Sequence, residues 1–292
     1  MTTLPKLASY QKAEAEKVRC LLCPHRCLLG IGQTGLCRGR KNLDGSLYAL
    51  TYGKVTSMAL DPIEKKPLRH FHPGSSILSV GTFGCNLACD FCQNWSISQS
   101  NGDDLAIYEI SPEGLVDKAI ELKPQSNIGV AFTYNEPTIW FEYVLDTAKL
   151  LKDKGLKVVL VTNGFINQEP LAELLPFVDA LNIDLKAFTD RFYRSICRGG
   201  LSEVQRTIEL SARYAHVEIS TLLIPGLNDS VEEIGELAKW LSSIDRQIPL
   251  HLSRYFPRYK RTEPPPTPLS NMERCLAAAQ PYLDHVYLGN CR

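Results

Sequence analysis

The chain has no net charge and no long apolar run. Its 292 residues contain 32 Lys and Arg against 32 Asp and Glu, so no basic field favours phosphate backbones or anionic lipid. An uninterrupted apolar stretch of about 18 residues, the length that a membrane-spanning helix needs, is missing. Residues 1–18 also lack the apolar core of a secretory signal. We therefore expect a cytoplasmic protein whose partners include neither nucleic acid nor a membrane.

Cysteine, in contrast, is abundant. Seven of the ten Cys residues fall in two groups, at 20–37 and 85–92, while Cys197, Cys275 and Cys291 stand apart. In a reducing compartment, clustered cysteines indicate metal binding or catalysis rather than disulfides. A disulfide scaffold is the competing interpretation, but a chain of this length does not need covalent staples to hold a core together.

An alternation of apolar runs and helical patterns begins near residue 75. The runs are rich in β-branched residues and occupy 76–81, 127–133, 157–163, 180–185, 216–225, 249–253 and 285–289. Continuous runs of this kind are typical of parallel strands buried on both faces. Helix starts lie between them at Ser111, at Pro137 and at Asp229 or Ser230. Seven strands fit an open barrel better than a closed eightfold one. The pattern predicts an α/β fold, a partial (β/α)6-type parallel barrel, with function on the loops after the strands.

Residues 1–75 do not follow this alternation. They contain the first cysteine group, a predicted hairpin formed by residues 46–50 and 54–60, and a loop with several prolines at 61–74. We predict two units: an N-terminal Cys-rich metal-binding extension, residues 1–75, and the partial-barrel domain, residues 76–292. The loop could cover the second cysteine group. The alternative, which we favour, is that Lys65 and Lys66 form a solvated charged run.

Three cysteines, Cys85, Cys89 and Cys92, follow the first predicted strand within a few residues. A structural zinc site takes four protein ligands, whereas a [4Fe-4S] cubane offers one ligand position for each iron. Three thiolates therefore leave one iron open, and that vacancy is the reactive position. A zinc loop completed by a distant His or Cys is the alternative interpretation.

With Phe91 before the last cysteine, the spacing C-x3-C-x2-C resembles the signature of radical S-adenosylmethionine (SAM) enzymes. The resemblance implies that Cys85, Cys89 and Cys92 are the catalytic, cluster-binding residues and that the open iron chelates the methionine end of SAM. One electron, from a donor such as flavodoxin or ferredoxin, then cleaves SAM to methionine and a 5′-deoxyadenosyl radical, which abstracts hydrogen from a substrate. The cofactors it implies are a [4Fe-4S] cluster and SAM.

The same resemblance assigns SAM contacts to the ends of later strands, besides Phe91 in the cysteine loop. Asn135 and Glu136 would accept the amino group of the methionine moiety, and Glu136 suits a cationic amine. Thr162 and Asn163 would reach the ribose hydroxyls or the carboxylate. The alternative interpretations are local: a helix start at Asn135-Glu136-Pro137, and a simple turn at Asn163-Gly164.

Two further strand ends carry candidate residues. Asp184 and Lys186 alternate with apolar neighbours and so point toward the same face; the resemblance to glycyl-radical-enzyme activases places this pair at the methionine end of SAM. His251 would contact the ribose. A plain salt bridge between Asp184 and Lys186, and a structural role for His251, are the alternatives.

The first cysteine group is a complete set of four thiols, Cys20, Cys23, Cys27 and Cys37. Four thiolates suit a tetrahedral zinc ion or a second iron–sulfur cluster. We favour zinc, because nothing in the spacing suggests an open iron, and His25 could substitute for one ligand. An electron relay through a second cluster is the alternative.

Taken together, the two cysteine groups and the segments around Asp61–Pro67 and Gly74 resemble the AmmeMemoRadiSam-system radical SAM enzymes, relatives of pyruvate formate-lyase activating enzyme. The resemblance runs from Cys20 to Asn290. It implies an activase-like reaction on a glycine of a substrate protein. Two alternatives remain: radical modification of a small molecule or of another partner-protein residue, and a non-catalytic metal-bearing scaffold.

Overall fold

The computed structural model describes residues 5–291. Its strands are β1 (Lys6–Leu7), β2 (Gln11–Glu14), β3 (Lys17–Cys20), β4 (Leu28–Leu29), β5 (Arg40–Leu43), β6 (Ser46–Ala49), β7 (Lys54–Val55), β8 (Ser57–Pro62), β9 (Ser76–Gly81), β10 (Tyr108–Glu109), β11 (Asn127–Phe132), β12 (Lys157–Thr162), β13 (Ala180–Asp184), β14 (His216–Leu223), β15 (Leu250–Arg254) and β16 (Val286–Gly289). The α-helices are α1 (Trp95–Ser98), α2 (Pro112–Glu121), α3 (Phe141–Asp153), α4 (Gln168–Leu174), α5 (Asp190–Phe192), α6 (Leu201–Ser211), α7 (Val231–Ile244) and α8 (Leu269–Ala279). Short 3₁₀ turns cover Ile63–Lys65, Lys123–Gln125, Pro137–Trp140 and Leu175–Phe177, and a π-helical turn covers Tyr193–Cys197.

One eight-stranded sheet organises the molecule. Its order is β16-β15-β14-β13-β12-β11-β9-β8, and all pairs are parallel except β8 with β9. Each of the seven predicted apolar runs forms one of its parallel strands. The two ends of the order, β8 and β16, are edges, so the sheet is open. The predicted α/β fold with a partial parallel barrel is therefore confirmed.

The connecting helices begin where the sequence indicates. The Ser111 hydroxyl accepts a hydrogen bond of 3.1 Å from the Gly114 N–H and caps α2. Ser230 caps α7 in the same way, through a 3.1 Å bond from the Glu233 N–H. Helix α3 is followed by Gly155, whose φ of +64° only glycine adopts without strain. These side-chain caps satisfy N–H groups that a helix start otherwise leaves without a partner.

The residues before β9 form small antiparallel sheets, with the orders β1-β6-β5 and β2-β3-β4. The predicted hairpin of residues 46–50 and 54–60 is wrong. Strand β6 pairs with β5, while residues 54–60 divide between β7, which pairs with β10, and β8, which pairs with β9. Residues 57–62 thus extend the central sheet although they precede residue 76. The division of the chain at residue 75 remains a prediction.

The loop between β8 and β9 lies against the central sheet rather than in solvent. Its apolar side chains pack with residues of four strands, in one cluster made of Ile63, Leu68, Phe71, Ile77, Ala131, Val159 and Ala180. These strand residues alternate with the ones that face the helices, so the loop covers the opposite face of the sheet.

The expectation of a solvated lysine run is wrong for Lys66. This side chain is 3% exposed, and its Nζ lies 2.7 Å from Asp61 Oδ2. The hydroxyl of Tyr134 donates to the same carboxylate oxygen at 2.9 Å. Lys65 is exposed, although it also reaches Asp61 at 2.8 Å. The packing of the loop on the sheet buries Lys66. A buried ammonium group requires a paired carboxylate, and Asp61 supplies it.

No helix within residues 5–291 combines the length and the apolar character that crossing a bilayer demands.

Gly129 offers a test of the close packing between strands. A Cβ atom at this position of β11 would lie 1.9 Å from the carbonyl oxygen of Lys157 on β12. We expect Gly129→Ala to destabilise the protein by about 3 kcal/mol, because the strands must separate. Gly235→Ala is the matched control: it lies inside α7, its Cβ would lie 4.0 Å from the nearest atom, and alanine favours a helix by about 0.5–1 kcal/mol. Urea midpoints measure both, and equal midpoints for the two variants would contradict the expectation.

Candidate functional site

The three-cysteine loop begins four residues after β9, and nearby groups surround its thiols. The Leu87 N–H donates to Cys85 Sγ at 3.4 Å, and Asn163 Nδ2 lies 3.6 Å from the same sulfur. Cys92 Sγ lies 3.2 Å from the Ser98 hydroxyl. Hydrogen bonds to sulfur stabilise thiolates and tune the potential of an iron–sulfur cluster. These contacts are therefore suited to holding metal-bound sulfur.

Burial raises the pKa of the Cys85 thiol well above its usual range, and the charge of Glu136 adds to this effect. Burial likewise raises the pKa of Cys92. For Cys89, a hydrogen bond with the Cys197 thiol is the main cause of a raised pKa, followed by burial. Thiolates at these positions need a positive centre to stabilise them, and a bound metal supplies it.

Cys197 is a neighbour of the loop that sequence reasoning missed. It ends the π-helical turn Tyr193–Cys197, where its carbonyl accepts a 2.9 Å bond from the Ala88 N–H. It is fully buried, and its thiol pairs with that of Cys89. In the sequence it is a single cysteine outside any motif, more than 100 residues from Cys89, so no local signal marks this contact.

Glu136 lies at the end of β11 and is 1% exposed. Its carboxylate accepts bonds from the Thr138 N–H at 2.9 Å, the Thr162 hydroxyl at 2.7 Å and the Asn163 N–H at 2.7 Å. Burial raises its pKa despite these bonds. No Lys, Arg or His within residues 5–291 forms an ion pair with it. A buried carboxylate without a cationic partner, next to Cys85, fits a cationic amine.

Asn135 and Asn163 connect these strand ends to the cysteine loop. Asn135 donates to the Gly84 carbonyl at 2.9 Å and accepts from the Thr82 N–H at 3.0 Å. Asn163 donates to Asn86 Oδ1 at 2.9 Å. Both predicted SAM contacts thus also fix the loop that carries Cys85.

Asp184 and Lys186 form the ion pair that was the alternative interpretation, with Nζ 2.8 Å from Oδ2. Burial alone would lower the pKa of Lys186, but the charge of Asp184 and the thiols of Cys89 and Cys197 raise it well above its usual range. The pair therefore lies beside the cysteine loop. Its contact with SAM remains a prediction.

His251 is held by a buried carboxylate. Its Nε2 lies 2.6 Å from Glu218 Oε2, and its ring stacks on Tyr287 with 5.5 Å between centroids. Ser220 pairs in register with both His251 and Asp184, so these two candidates lie on strands either side of β14, at one level of the sheet. Phe91 is buried 6.0 Å from the ring of Phe192.

The four N-terminal cysteines line one enclosed cavity of about 10 Å³, together with Arg40. Arg40 is buried, and its Nη2 binds both oxygens of Glu142 at 2.6 and 2.8 Å, while its Nε has no partner. The part of the chain that the structure describes holds no three Cys, His, Asp or Glu side chains already drawn together as single-ion ligands. The metal predicted here therefore remains a prediction.

Two contacts connect this cavity to the three-cysteine loop. His25 Nε2 lies 2.7 Å from the Asn86 carbonyl oxygen. Gly84 has a φ of +85°, and a Cβ atom there would lie 2.3 Å from the Cys37 carbonyl oxygen. The two cysteine groups are thus neighbours, separated by little more than backbone.

Comparison with known proteins decides the family. Residues 79–241, more than half of the chain, match the family model described as the radical SAM superfamily. The chain belongs to the radical SAM superfamily. It is 41% identical over 284 residues to the uncharacterized protein MJ0808 of Methanocaldococcus jannaschii, covering 96% of this chain and 84% of that protein. It is 28% identical over 181 residues to the pyruvate formate-lyase-activating enzyme of Clostridium pasteurianum, covering 59% of this chain and 72% of that one.

A solved structure agrees with this family at the level of the fold. Streptococcus suis SuiB bound to S-adenosylmethionine superposes with a TM-score of 0.59 at 14% identity, covering 74% of this chain and 52% of SuiB. Membership in the radical SAM superfamily makes the protein an enzyme and implies a [4Fe-4S] cluster and SAM. The residues fit both groups: three soft thiols share one loop, and the carboxylate of Glu136 beside them lacks a cation.

Glu218 predicts how stability depends on pH. Burial on its own would raise its pKa, but bonds from His216, His251 and the N–H groups of His70 and Arg69 lower it to about 2. The ordinary value is 4.5, so the ionised form contributes about 3 kcal/mol above pH 4.5, and this contribution disappears as the pH falls toward 2. We expect Glu218→Gln to lower the urea midpoint at pH 7 and to flatten its decline below pH 4.5.

The control for this experiment is Glu236→Gln, because Glu236 is exposed on α7. It should leave both the midpoint and its pH profile unchanged. A Glu218→Gln profile parallel to that of the unmodified protein would show that the carboxylate does not stabilise the fold in this way.

Proposed function

We propose that this enzyme activates a partner protein by abstracting a hydrogen atom from one of its glycines. The observation that carries the SAM chemistry of this proposal is the juxtaposition of Cys85, Cys89 and Cys92 with the uncompensated carboxylate of Glu136. When bound, the [4Fe-4S] cluster supplies the electron that cleaves SAM to methionine and a 5′-deoxyadenosyl radical. Every other part of the chemistry depends on how this chain positions SAM and the substrate.

The residues divide this task by their charges. Cys85, Cys89 and Cys92 hold the cluster, and the buried carboxylate of Glu136 binds the amino group of SAM. Lys186 is a donor for the carboxylate of SAM, with Asp184 holding its ammonium group in place. His251, fixed by Glu218, faces the ribose.

The remaining positions keep this arrangement rigid. Thr162 and Asn163 donate to Glu136 and so hold its carboxylate in one orientation. Asn135 ties the end of β11 to the cysteine loop. Phe91, within that loop, packs against Phe192. Preorganised donors and acceptors of this kind avoid reorganisation when the substrate reacts.

Support for a glycine of a protein as the substrate comes from similarity to the putative glycyl-radical enzyme activating enzyme MJ1632 of Methanocaldococcus jannaschii. A small molecule, or another residue of a partner protein, is the alternative substrate class. In each case the electron must come from an external donor, for which flavodoxin or ferredoxin is suitable.

Deuterium transfer tests the substrate. The reconstituted enzyme is incubated without oxygen with SAM, a reductant and protein from host cells grown on α-deuterated glycine. We expect deuterium in the 5′-deoxyadenosine that is formed, because the radical carbon takes its hydrogen from the glycine Cα. Mass spectrometry of the nucleoside measures the transfer. Label that appears only with the small-molecule fraction would contradict the proposal and support the alternative substrate class.

Cys89→Ala and Cys275→Ala form a matched pair for this experiment. Both thiols are buried, but Cys275 lies on α8 within the hydrophobic core, where its thiol donates to the Asp229 carbonyl at 3.4 Å. Cys89→Ala should form no 5′-deoxyadenosine, since one iron loses its ligand, whereas Cys275→Ala should retain the activity. Undiminished formation by Cys89→Ala would remove this loop from the reaction.

We also propose that Cys20, Cys23, Cys27 and Cys37 bind one zinc ion. The unpartnered Nε of Arg40 supports this, because a buried donor beside four thiols is satisfied when they become metal-bound thiolates. Four thiols are a complete tetrahedral set for one zinc ion. Metal binding would draw the thiols together.

Metal analysis of the reconstituted enzyme tests this second site. We expect one zinc and four irons per chain, and Cys23→Ser should lose the zinc while keeping the irons. Because structural zinc contributes directly to folding, the same variant should unfold at lower urea concentration than Cys275→Ser, the control. Eight irons per chain, or four irons and no zinc, would contradict a zinc site.

A further inference from the structure

The segment after β15 is attached to the cysteine loop. We call residues 255–261 the strap. The N–H groups of Lys260 and Arg261 donate to the Asp90 carbonyl at 3.0 and 3.1 Å. The guanidinium of Arg261 binds both carboxylate oxygens of Asp90, at 3.0 Å from Nε and 2.5 Å from Nη2. Asp90 itself lies between Cys89 and Cys92, so the strap is bonded to the loop that holds the cluster ligands.

An aromatic pair makes a second attachment. The rings of Trp95 and Tyr259 stack with 5.1 Å between centroids and 12° between planes. Trp95 follows Cys92 by three residues, which limits the distance between their Cα atoms to about 11 Å. The corresponding limit for Asp90 and Cys92 is about 7 Å. The strap is therefore a piece of protein surface very near the cluster position.

The composition of this surface is unusual for the chain. The strap contains three cations, Arg258, Lys260 and Arg261, and no acid, in a protein of zero net charge. The negative charge of Asp90 balances the positive charge of Arg261. Arg258 and Lys260 are exposed and have no carboxylate partner in the described part of the chain. Trp95 is 45% and Phe256 40% exposed. Exposed aromatic rings among unpaired cations are typical of a surface that binds an anionic partner.

We propose that the strap and Trp95 form the docking surface for an acidic one-electron carrier protein, of the low-potential flavin or iron–sulfur class. This inference rests on the proposed function, since it concerns how the electron enters. A donor must approach the cluster, and the strap is bonded to the ligand loop itself. Of the residues assigned to SAM, Glu136 follows β11 and Asp184 ends β13, while His251 lies on β15, the strand that leads into the strap.

Docking has a simple electron balance. The reduced carrier loses one electron, and this electron is the one that cleaves one molecule of SAM. Charge complementarity raises the rate of encounter and orients the carrier, while the exposed rings supply apolar contact area. Arg261 is already paired with Asp90, so Arg258 and Lys260 are the residues free to attract the carrier.

The test compares two reductants in SAM cleavage without substrate, measured as 5′-deoxyadenosine. One is a reduced flavodoxin of net negative charge; the other is dithionite, which is too small to need a docking surface. The variant Arg258→Glu with Lys260→Glu leaves Arg261, Asp90 and Trp95 in place. We expect its flavodoxin-driven rate to fall about tenfold, with its dithionite-driven rate unchanged. Added salt should slow the flavodoxin reaction of the unmodified enzyme much more than that of the variant.

Two control variants locate the effect. Arg213→Glu removes an exposed cation just before β14, at the other end of that strand from the cysteine loop, and should change neither rate. Arg198→Glu removes an exposed cation next to Gly199, where a Cβ atom would meet the Leu87 side chain at 2.6 Å, on the other flank of the loop. It too should retain the flavodoxin-driven rate. The charge-conserving variant Arg258→Lys with Lys260→Arg should behave as the unmodified enzyme.

Other results overturn the inference in distinguishable ways. An equal loss with both reductants would mean that the strap variant damages the site. No loss with flavodoxin, or a loss in Arg198→Glu alone, would place electron entry elsewhere, and an unchanged rate with impaired deuterium transfer would make the strap a substrate surface. If the unmodified, reconstituted enzyme forms no 5′-deoxyadenosine with dithionite, the proposed function itself fails.

Discussion

The buried carboxylate of Glu136 is the constraint on which the site depends. Removing a charge from water is costly unless hydrogen bonds replace the lost solvation. Three donors from Thr138, Thr162 and Asn163 do so here, which fixes the ends of β11 and β12 relative to each other. Asn163 and Asn135 then extend the network to the loop of Cys85. Burial raises the pKa of Glu136, and no cation within residues 5–291 pairs with it, so the network holds an unpaired carboxyl group beside the three thiols.

The N-terminal residues support the same loop from the opposite side. His25 contacts the Asn86 carbonyl, and the backbone of Cys37 presses against Gly84, whose missing side chain makes that approach possible. Asn167 adds bonds to the carbonyl groups of Leu21 and Leu22. The cysteine-rich segment is therefore part of the wall of the site. These backbone contacts connect the segment that lines the four-thiol cavity to the three-cysteine loop, so a change in the conformation of one affects the other.

Elements whose signals are local could be predicted from the sequence. The seven parallel strands and the caps at Ser111 and Ser230 follow from runs of apolar residues and from the chemistry of helix starts. The three-cysteine loop is also a local signal, because its three closely spaced thiols provide ligands for three of the four irons of a cubane. Roles of the SAM-site residues stay predictions, although the structure brings Glu136, Asn163 and Lys186 close to that loop.

What could not be predicted depends on contacts between distant residues. Residues 57–60 could pair in a local hairpin or with β9. The packing of the loop between β8 and β9 on the sheet favours the pairing with β9. That packing also buries Lys66, which by composition looks solvated. Cys197 meets Cys89 across more than 100 residues, and the Glu218 partner of His251 lies on a different strand. A single sequence carries no signal for such contacts.

The distribution of satisfied and unsatisfied charges separates structural from functional polar groups. On the sheet face covered by the loop before β9, the buried charges are paired: Lys66 with Asp61, and Glu218 with two imidazoles. The carboxylates of Asp61 and Glu218 hold the loop against the sheet and have no capacity left for a ligand. Glu136 lacks a cation, Arg40 lacks an acceptor for its Nε, and Arg258 and Lys260 lack carboxylates. An uncompensated buried charge or buried donor costs free energy, so bound SAM would stabilise the site of Glu136 and a metal that of Arg40. Arg258 and Lys260 are hydrated at no such cost and stay available to an anionic partner.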